Sequence, residues 1–425
     1  MAWDFSTDPE WESDLTWIRD FMRTEILPLE TLALDHATYL RVIRPLQQEV
    51  KDRGLWAAHL GPELGGAGLG QVKLALVHEI LGASELGPPV FGVQAPDSGN
   101  IELLALAASD DQRERWLKPL LAGEILSAFS MTEQGTGSDP KQFTTAAVRD
   151  GDEWVINGSK WFVSNADRSA FHILMAVTDR DVHPYEGQSM IIVPSDAPGV
   201  EMRPLGLLND PHHCGALHTH CEVHYRDVRV PRDALLGTEG GAFLLAQKRL
   251  GPGRIHHCMR WLGVARRAFD DMCERAVSMS VHGSRLADKQ FIQDFIALSA
   301  AELAAARLLT LHAAWKIDRE GASGSRVEIS MIKYHGAKVM HDILDRSIQV
   351  HGSLGLSTDM PLQEMYAFSR SGRLYDGPDE VHKATVAKLI TREYVPTAVP
   401  TDHVPTRRVA ALEKYQDLLD TVSVQ

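Results

Sequence analysis

The sequence predicts a multidomain α+β protein with a helical region first, a β region second and another helical region third. Three observations lead to this prediction. The 425 residues are enough for about three domains. Apolar residues recur at helical spacing in the first and last parts of the chain, and short β-prone runs separated by turns lie between them. The expected domains are residues 1–128, 129–238 and 239–396, followed by a tail at 397–425.

The first region is predicted to be helical. In SDLTWIRDFMRTEILP, the apolar residues at helical spacing are Leu15, Ile18, Met22 and Ile26. Ser13 is the candidate residue that caps the start of this helix. A second helical stretch ends in residues 54–70, which are too rich in glycine and proline for regular structure, so we expect a loop there. Helical spacing then resumes from residue 72 to about residue 126.

The middle region has the pattern of a small β-sandwich or barrel. Its β-prone runs are EWVIN, AFHILMAV, QSMIIVP and ALHTHCEVHYRDVRV. Helical spacing returns afterwards, and the buried stripe of one predicted helix comprises Ile332, Val339, Ile343 and Val350. The tail contains a proline-rich linker and a short amphipathic piece, ALEKYQDLLDTV.

Composition and charge exclude several classes of protein. An apolar fraction of 44% and a charged fraction of 24% are ordinary for globular proteins and exclude disordered, collagenous and coiled-coil chains. The net charge of −14 disfavours nucleic acid and anionic membranes as partners. No apolar run of ~18 residues is free of charge, the 4 cysteines fit a reducing compartment, and the acidic N-terminus lacks a basic targeting region. We expect a soluble, cytoplasmic protein.

A histidine-rich segment comes before and within the last long β-prone run. It contains His212, His213, Cys214, His218, His220, Cys221 and His224. On a strand, His218, His220 and His224 share one face, and three imidazoles suit a metal ion. No separate carboxylate–histidine motif accompanies them, so solvated histidines are favoured and we predict no metal site.

Two segments have the composition of a cofactor site. FSMTEQGTGSD, residues 129–139, offers backbone N–H groups and hydroxyls without bulky side chains, which suits a heterocycle edge or a phosphate. NGSKWFVSNA places Phe162 and Ser164 two residues apart, and therefore on one face of a strand. A tight turn and an ordinary strand core are the respective alternatives, and both stay open.

Two further segments carry charged residues suited to binding or catalysis. Arg254 in GPGRIHHCMR lies near a predicted helix start, where it could meet an anionic ligand. Asp376 in SGRLYDGPDEVH precedes a helix that begins near Asp379, so its carboxylate could serve as a general base at a loop tip. The alternative is an ordinary Asp-Gly turn before a capped helix.

The order of six motifs resembles that of the acyl-CoA dehydrogenase family. The motifs are FSMTEQGTGSD, INGSKWFVS, RVPRDALLG, GPGR, QVHGSLG and YDGPDEVH, and the resemblance runs from about residue 11 to residue 393. RLGPGRIHHCMR and LYDGPDEVH further resemble the branch that contains the eukaryotic members ten and eleven. This resemblance implies an N-terminal helical domain, a central β-sandwich or barrel and a C-terminal four-helix bundle, with FAD bound between the last two.

The resemblance also implies a set of site residues. Contacts to FAD fall on Phe129, Met131, Thr132, Ser138, Phe162, Val163, Ser164, Pro378, Asp379 and Glu380, and, from a neighbouring subunit, on Gln349, Gly352 and Ser353. Contacts to acyl-CoA fall on Ser138, Gly251, Arg254 and Gly377. Asp376 takes the position of the catalytic base, and burial under an uncharged acyl chain is expected to raise its pKa.

The implied reaction is the α,β-dehydrogenation of an acyl-CoA to a trans-2-enoyl-CoA, as in fatty acid β-oxidation. Asp376 would remove the α-proton while a hydride passes to flavin N5, and its backbone N–H would help to hold the thioester oxygen. The expected partners are acyl-CoA, an electron-transfer flavoprotein and other copies of the chain in a homodimer or homotetramer. Two alternatives stay open: a flavin- and acyl-CoA-binding protein without turnover, and an oxygen-reacting oxidase or flavin monooxygenase.

Three positions depart from the family's usual pattern. The base is Asp rather than Glu, which shortens its reach by roughly 1.5 Å, although the branch with members ten and eleven shares this Asp. Some members carry the base on a bundle helix instead, at a position that is Gly253 here. Met279 replaces an arginine that usually reaches the pyrophosphate of the neighbouring FAD, so either Arg285 compensates or FAD binds more loosely.

Overall fold

A computed structural model of the chain describes residues 7–32, 34–208, 219–396 and 407–422. Within these residues the elements follow the helical, β and helical order that the sequence predicts. The helices of the first region are α1 (Pro9–Phe21), α2 (His36–Asp52), α3 (Gln71–Leu81), α4 (Gly87–Val90), α5 (Asp97–Ala107), α6 (Asp110–Gln112) and α7 (Lys118–Ala122).

Helix α1 begins five residues earlier than the sequence predicts. The carboxylate of Asp8 accepts a hydrogen bond from the backbone N–H of Trp11 (2.8 Å) and caps the helix. Ser13 lies inside the helix, so the prediction that Ser13 is the cap is wrong. The predicted apolar face is confirmed, because Leu15 and Ile18 are buried in the core.

The middle region forms a mostly antiparallel sheet. Its strands are β1 (Ser127–Ser130), β2 (Ala146–Asp150), β3 (Glu153–Ser164), β4 (Phe171–Val177), β5 (Gln188–Pro194), β6 (Val200–Pro204), β7 (His220–Pro231) and β8 (Leu235–Leu236). The order across the sheet is β6-β7-β3-β2-β4-β5-β8, and β1 pairs with β4 in parallel, away from this path.

Strands β4 and β5 are mostly apolar because both of their faces are buried. On β4, Ile173 and Met175 pack against α5 and α7, whereas Leu174 and Ala176 face a core shared with β3 and β7. This second core requires the sheet to curl so that its two halves face each other. This arrangement agrees with the predicted sandwich or barrel. Strand β1 contributes to both cores and therefore lies between the helical region and the β region.

The last region is built on three long helices. They are α8 (Ala242–Ser278), α9 (Gln290–Gly324) and α10 (Arg326–His351), with a small hairpin, β9 (Ser280–Val281) and β10 (Ser284–Arg285), between α8 and α9. The helices α8, α9 and α10 pack on one another, and α10 also carries α11 (Leu362–Ser371) and α12 (Asp379–Thr391). The predicted stripe of Ile332, Val339, Ile343 and Val350 is buried on α10. A final helix, α13 (Arg408–Val422), lies in the tail.

One described helix, α9, is long and apolar enough to cross a membrane by length and composition alone. Its contacts are those of a bundle helix, since it packs against α8 and α10. Two charged residues in α9 form ion pairs with neighbouring helices: Glu302 with Arg346 (2.7 Å) and Arg307 with Glu79 (2.8 Å).

A buried carboxylate joins the helical region to the strand that carries Phe129. Asp97 in α5 accepts hydrogen bonds from the backbone N–H (2.7 Å) and the hydroxyl (2.6 Å) of Ser127 in β1. Asn100, one turn further along α5, donates to the same hydroxyl (2.9 Å). Burial raises the pKa of Asp97 to about 6 and outweighs these hydrogen bonds, which favour the ionised form.

Asp97→Asn tests this anchor. A carboxyl whose pKa is raised on folding stabilises the protein fully below its unfolded pKa of about 4, and the stabilisation is lost as the pH rises through 6. Asparagine still accepts from Ser127 but carries no charge. We therefore expect the free energy of unfolding of the variant, relative to wild type, to rise by about 1–2 kcal/mol between pH 4.5 and pH 8 in urea titrations.

The exposed Asp111→Asn in α6 is the matched control, and its difference from wild type should stay nearly constant over this range. A constant difference for Asp97→Asn as well would show that Asp97 is not the pH-sensitive anchor.

Candidate active site

The site centres on a cleft where the helical regions meet. The cleft is small, with a cavity volume of about 30 Å³, and lies between α5, α8 and the loop of residues 372–378. Its lining residues are Ala95, Ser98, Gly99, Glu102, Arg249, Gly253, His256, His257, Arg260 and Asp376. Asp376, the predicted base, thus lies at the cleft wall, and Gly253 opens onto the same space because a Cβ there would meet no atom within 4 Å.

The backbone of the loop is held in an unusual conformation at Asp376. This residue has φ of +54°, in the left-handed region that non-glycine residues seldom adopt, and Gly377 follows with φ of +99°. A Cβ at Gly377 would come within 2.8 Å of His382 Nε2, so the position requires glycine. The Asp-Gly turn predicted here is present, and it turns the Asp376 side chain toward the cleft.

Three side chains from three helices fix this loop. The carbonyl oxygen of Asp376 accepts from Arg254 Nε on α8 (3.2 Å) and from His382 Nε2 on α12 (3.1 Å). Lys333 on α10, fully buried, donates from Nζ to the carbonyls of Gly372 (2.7 Å) and Gly377 (3.3 Å). The carbonyl oxygens of the loop therefore accept hydrogen bonds from buried donors that would otherwise lack partners.

The carboxyl group of Asp376 is ionised rather than protonated. Burial pushes its pKa up, but the hydrogen bond from His257 (Nε2 to Oδ2, 3.2 Å) and the positive charges of Arg249 and Arg254 outweigh burial and hold the pKa below its usual range. The expected rise of this pKa concerns burial beneath a bound acyl chain, and it stays a prediction. The side chain is 23% exposed, on the cleft side, and can be reached by a ligand.

Arg254 does not lie near a helix start. Helix α8 runs unbroken from Ala242 to Ser278 through the GPGR segment, so Arg254 lies about a third of the way along it and Gly251 is helical too. Packing of α8 against α3 and α10 outweighs the low helix propensity of glycine and proline. Arg254 can therefore meet an anion only through its own guanidinium, without help from a helix N-terminus.

The two predicted cofactor segments are adjacent. The backbone N–H of Trp161 donates to the carbonyl of Thr132 (2.9 Å), and Lys160 Nζ donates to the carbonyl of Met131 (2.7 Å). Strand β3 thereby holds the segment that follows β1, so the two predicted cofactor segments lie side by side.

A buried ion pair that the sequence predictions missed anchors this junction. Lys160 Nζ lies 2.8 Å from a carboxylate oxygen of Glu133, and both side chains are almost fully buried. Glu133 also accepts from the backbone N–H groups of Thr144 (2.7 Å) and Thr145 (3.0 Å). The signal in the sequence was a lysine at an inward position of a strand, which is rare unless the charge is paired.

A β-bulge interrupts the pairing of strand β3 at Phe162. The pairing of β3 with β7 shifts register between Lys160 and Val163, and Phe162 has φ of +52°. This bulge leaves the Phe162 ring 49% exposed, 4.8 Å from the Trp161 ring, while Val163 is buried. Val163 is thus the buried residue between two less buried ones, and the predicted common face of Phe162 and Ser164 stays a prediction.

Arg249 connects the cofactor segments to the cleft, and sequence reasoning did not single it out. Its guanidinium lies 4.3 Å from the centre of the Phe129 ring, and Nε donates to Asn100 (3.3 Å). The same residue lines the cleft with Asp376. Phe129 and the proposed base are thus bridged by one side chain.

The residues near Phe162 fit a flavin. Phe162 offers an exposed ring, and Gly135 and Gly137 have positive φ with open space where a Cβ would stand, so a ligand can approach the backbone. Thr132 and Ser138, which are close to these glycines in the sequence, are exposed. At the start of α12, Asp379 is buried and bonded through Oδ2 to Arg373 (2.8 Å), and its Oδ1 has no donor among the described residues. Pro378 precedes it and Glu380 is exposed.

Three predicted FAD contacts lie away from the other predicted cofactor residues of the same chain: Gln349, Gly352 and Ser353. They are exposed at the end of α10. Gln349 is sixteen residues beyond Lys333 on α10, or about 24 Å at the ordinary helical rise. They are accessible to a second copy of the chain, as the resemblance implies.

Two other sequence hypotheses have partial answers. Arg285, the proposed substitute for the arginine missing at Met279, pairs with Asp288 (3.1 Å) and is exposed. Among residues 219–396, His224 lies 3.2 Å from Glu222, and no metal-binding group of three His, Cys, Asp or Glu side chains occurs anywhere in the described chain. His212, His213, Cys214 and His218 lie outside the described residues.

Models of the domains of one protein family match nearly the whole chain. Residues 11–124 match the acyl-CoA dehydrogenase N-terminal domain, residues 128–228 the middle domain and residues 240–391 the C-terminal domain. The chain belongs to the acyl-CoA dehydrogenase family, a family of flavin-dependent oxidoreductases that act on acyl-CoA.

Several individual proteins are similar to this chain in sequence or in structure. It is 41% identical to the protein named as acyl-CoA dehydrogenase FadE2 from Mycobacterium tuberculosis, over 89% of this chain and 95% of that protein. It is also 41% identical to acyl-CoA dehydrogenase family member 11 of Rattus norvegicus over 88% of this chain, but spans only 49% of that longer protein. A solved Mycobacterium abscessus protein described as an acyl-CoA dehydrogenase is 35% identical with a TM-score of 0.86, covering 92% of this chain and 100% of that one.

Lys160→Met tests the buried ion pair. The variant leaves Glu133 without its cation, and breaking a buried pair costs about 3–5 kcal/mol of unfolding free energy. We expect that loss in urea denaturation, together with weaker retention of FAD on gel filtration. The exposed Lys141→Met is the matched control. Equal and small effects in both variants would contradict the anchoring role of Lys160.

Proposed function

We propose that the protein dehydrogenates an acyl-CoA thioester between carbons 2 and 3, giving a trans-2-enoyl-CoA, with Asp376 as the base that removes the α-proton. The observation that carries this proposal is the position of Asp376, whose ionised carboxylate faces a cleft beside the cofactor segments. Gly253, the other position that could hold a base, has no side chain.

The chain's own residues suggest how the cofactor is held. Phe129, Met131, Thr132, Phe162 and Ser164 would bind the ring system of FAD from strands β1 and β3. Pro378, Asp379 and Glu380 would bind it from the start of α12. When bound there, FAD supplies the acceptor for the hydride that leaves carbon 3.

The thioester oxygen would be held beside Asp376. Its backbone N–H has no acceptor among the described residues, whereas its carbonyl accepts twice. This N–H can therefore donate to the oxygen as negative charge develops on it. Arg254, fixed against the same residue, adds positive charge for an anionic substrate.

Substrate entry would also prepare the base. An acyl chain in the cleft displaces water and lowers the local polarity, which raises the pKa of a carboxyl. Asp376 thus begins ionised and becomes a stronger base once the substrate is bound. The α-proton stays on Asp376 until the product leaves.

The electron acceptor and the assembly belong to the same proposal. An electron-transfer flavoprotein would be the electron acceptor, and the assembly would be a homodimer or homotetramer. The exposed positions of Gln349, Gly352 and Ser353 support this assembly, because a second copy would bring them to the adenosine–pyrophosphate arm of FAD.

Asp376→Asn is the direct test of the base. Asparagine keeps the size of the side chain and cannot take a proton, so we expect normal FAD content but flavin reduction by acyl-CoA slowed about 10²–10⁴-fold. The measurement is anaerobic stopped-flow absorbance, with dithionite reduction as the control for an intact flavin site. A variant that is reduced at the wild-type rate would remove Asp376 as the base.

A second carboxylate placed in the cleft provides the matched variant. Gly253→Glu in the Asp376→Asn background adds an acid from α8 into open space. We expect this double variant to recover part of the reduction rate, whereas Gly253→Gln in the same background should not.

A further inference from the structure

The geometry points to His257 as the positioning residue of the catalytic base, with Arg260 fixing the tautomer that allows it to act. This inference rests on the proposed function, because it concerns how Asp376 is oriented and kept ionised. It adds two residues of α8 that carry none of the predicted roles.

The hydrogen bonds determine which nitrogen of His257 carries the proton. Arg260 Nη2 lies 3.1 Å from His257 Nδ1, and a guanidinium can only donate. Nδ1 is therefore the acceptor, and in the neutral ring the proton is on Nε2. Nε2 lies 3.2 Å from Asp376 Oδ2, so His257 donates to the carboxylate.

Arg260 is itself held in place. Its Nη1 donates to Nδ1 of His78 (3.1 Å) and to the carbonyl of Val93 (3.4 Å). One guanidinium thus sets the tautomer of two histidines on two helices. Burial, and then the charge of Arg260, lower the pKa of His257 below its ordinary value, which keeps the ring neutral at neutral pH.

The other groups around Asp376 do not bond to its carboxylate. The charged and titratable groups that face it are Arg249, Arg254, His257, Cys258 and Arg260 on α8, Lys333 on α10, His382 on α12, the neighbouring Tyr375, and Glu102 of α5 across the cleft. Arg254 and His382 bond to its carbonyl instead. Among the described residues, His257 alone donates a hydrogen bond to the carboxylate oxygens.

This single hydrogen bond has two consequences for the base. It fixes the direction of a short side chain, for which a small misplacement from the α-carbon costs rate. It also stabilises the ionised form before substrate binds. A neutral imidazole that donates through Nε2 and accepts through Nδ1 cannot take up the α-proton, so the proton remains on Asp376.

The test compares His257→Leu with His257→Gln in the FAD-loaded protein. Leucine removes the donor, whereas the glutamine amide reaches the same place and can donate. The readout is kcat from pH 5 to pH 9, because kcat reports the ionisation of the base in the enzyme–substrate complex, where the bound acyl chain raises its pKa. A base works above its pKa, and losing a donor to the carboxylate raises that pKa. We expect the acid limb of kcat for His257→Leu to move up by about one pH unit, with kcat at pH 8 reduced roughly 10–100-fold.

His257→Gln should keep the wild-type pH profile and most of the rate. FAD content and urea denaturation show whether each variant is folded. If His257→Leu is folded and its profile lies parallel to wild type at every pH, or if His257→Gln moves the acid limb as far as leucine does, the positioning role is wrong.

The same experiment separates this inference from the proposed function. If Asp376→Asn retains full activity, the base assignment fails whatever His257 does. If Asp376→Asn is inactive while the His257→Leu profile is parallel to wild type, Asp376 remains the base and only the role of His257 is overturned.

Discussion

The site depends on the loop of residues 372–378 being held by donors from three helices. Lys333, Arg254 and His382 supply those donors, and the loop supplies the carbonyls. A left-handed backbone at a non-glycine residue costs roughly 1–3 kcal/mol, so Asp376 keeps this conformation because the surroundings fix it. The position of the base is thus a property of the bundle, and the cleft exists where α5 closes its other side.

Local charge around the base is opposite to the charge of the whole chain. The net charge is −14, yet Arg249, Arg254, Arg260 and Lys333 surround the Asp376 carboxylate. In the protein without substrate, the hydrogen bond from His257 and the charges of Arg249 and Arg254 outweigh burial and lower the pKa of Asp376. The same positive charge suits a thioester carried by anionic CoA, because charges in a low-dielectric cleft act more strongly than charges in solvent.

Local patterns predicted the order of the elements, the loop at Asp376 and the helix beginning at Asp379. Longer-range effects were not predictable from them. Lys160 and Glu133 are 27 residues apart, and nothing local marks them as partners. The continuous course of α8 through glycine and proline, and the bulge at Phe162, both result from packing against neighbouring elements, which outweighs local propensity.

The most direct measurement of Asp376 as the base is exchange of the substrate α-hydrogen with solvent. An acyl-CoA analogue with sulfur at position 3 cannot lose a hydride, so any exchange reports proton removal alone. Mass spectrometry monitors the exchange in D₂O. The wild-type protein with FAD should replace the α-hydrogen of the analogue by deuterium, and the Asp376→Asn variant should do so at least about 100-fold more slowly. Equal exchange rates in the two proteins would contradict the assignment of the base.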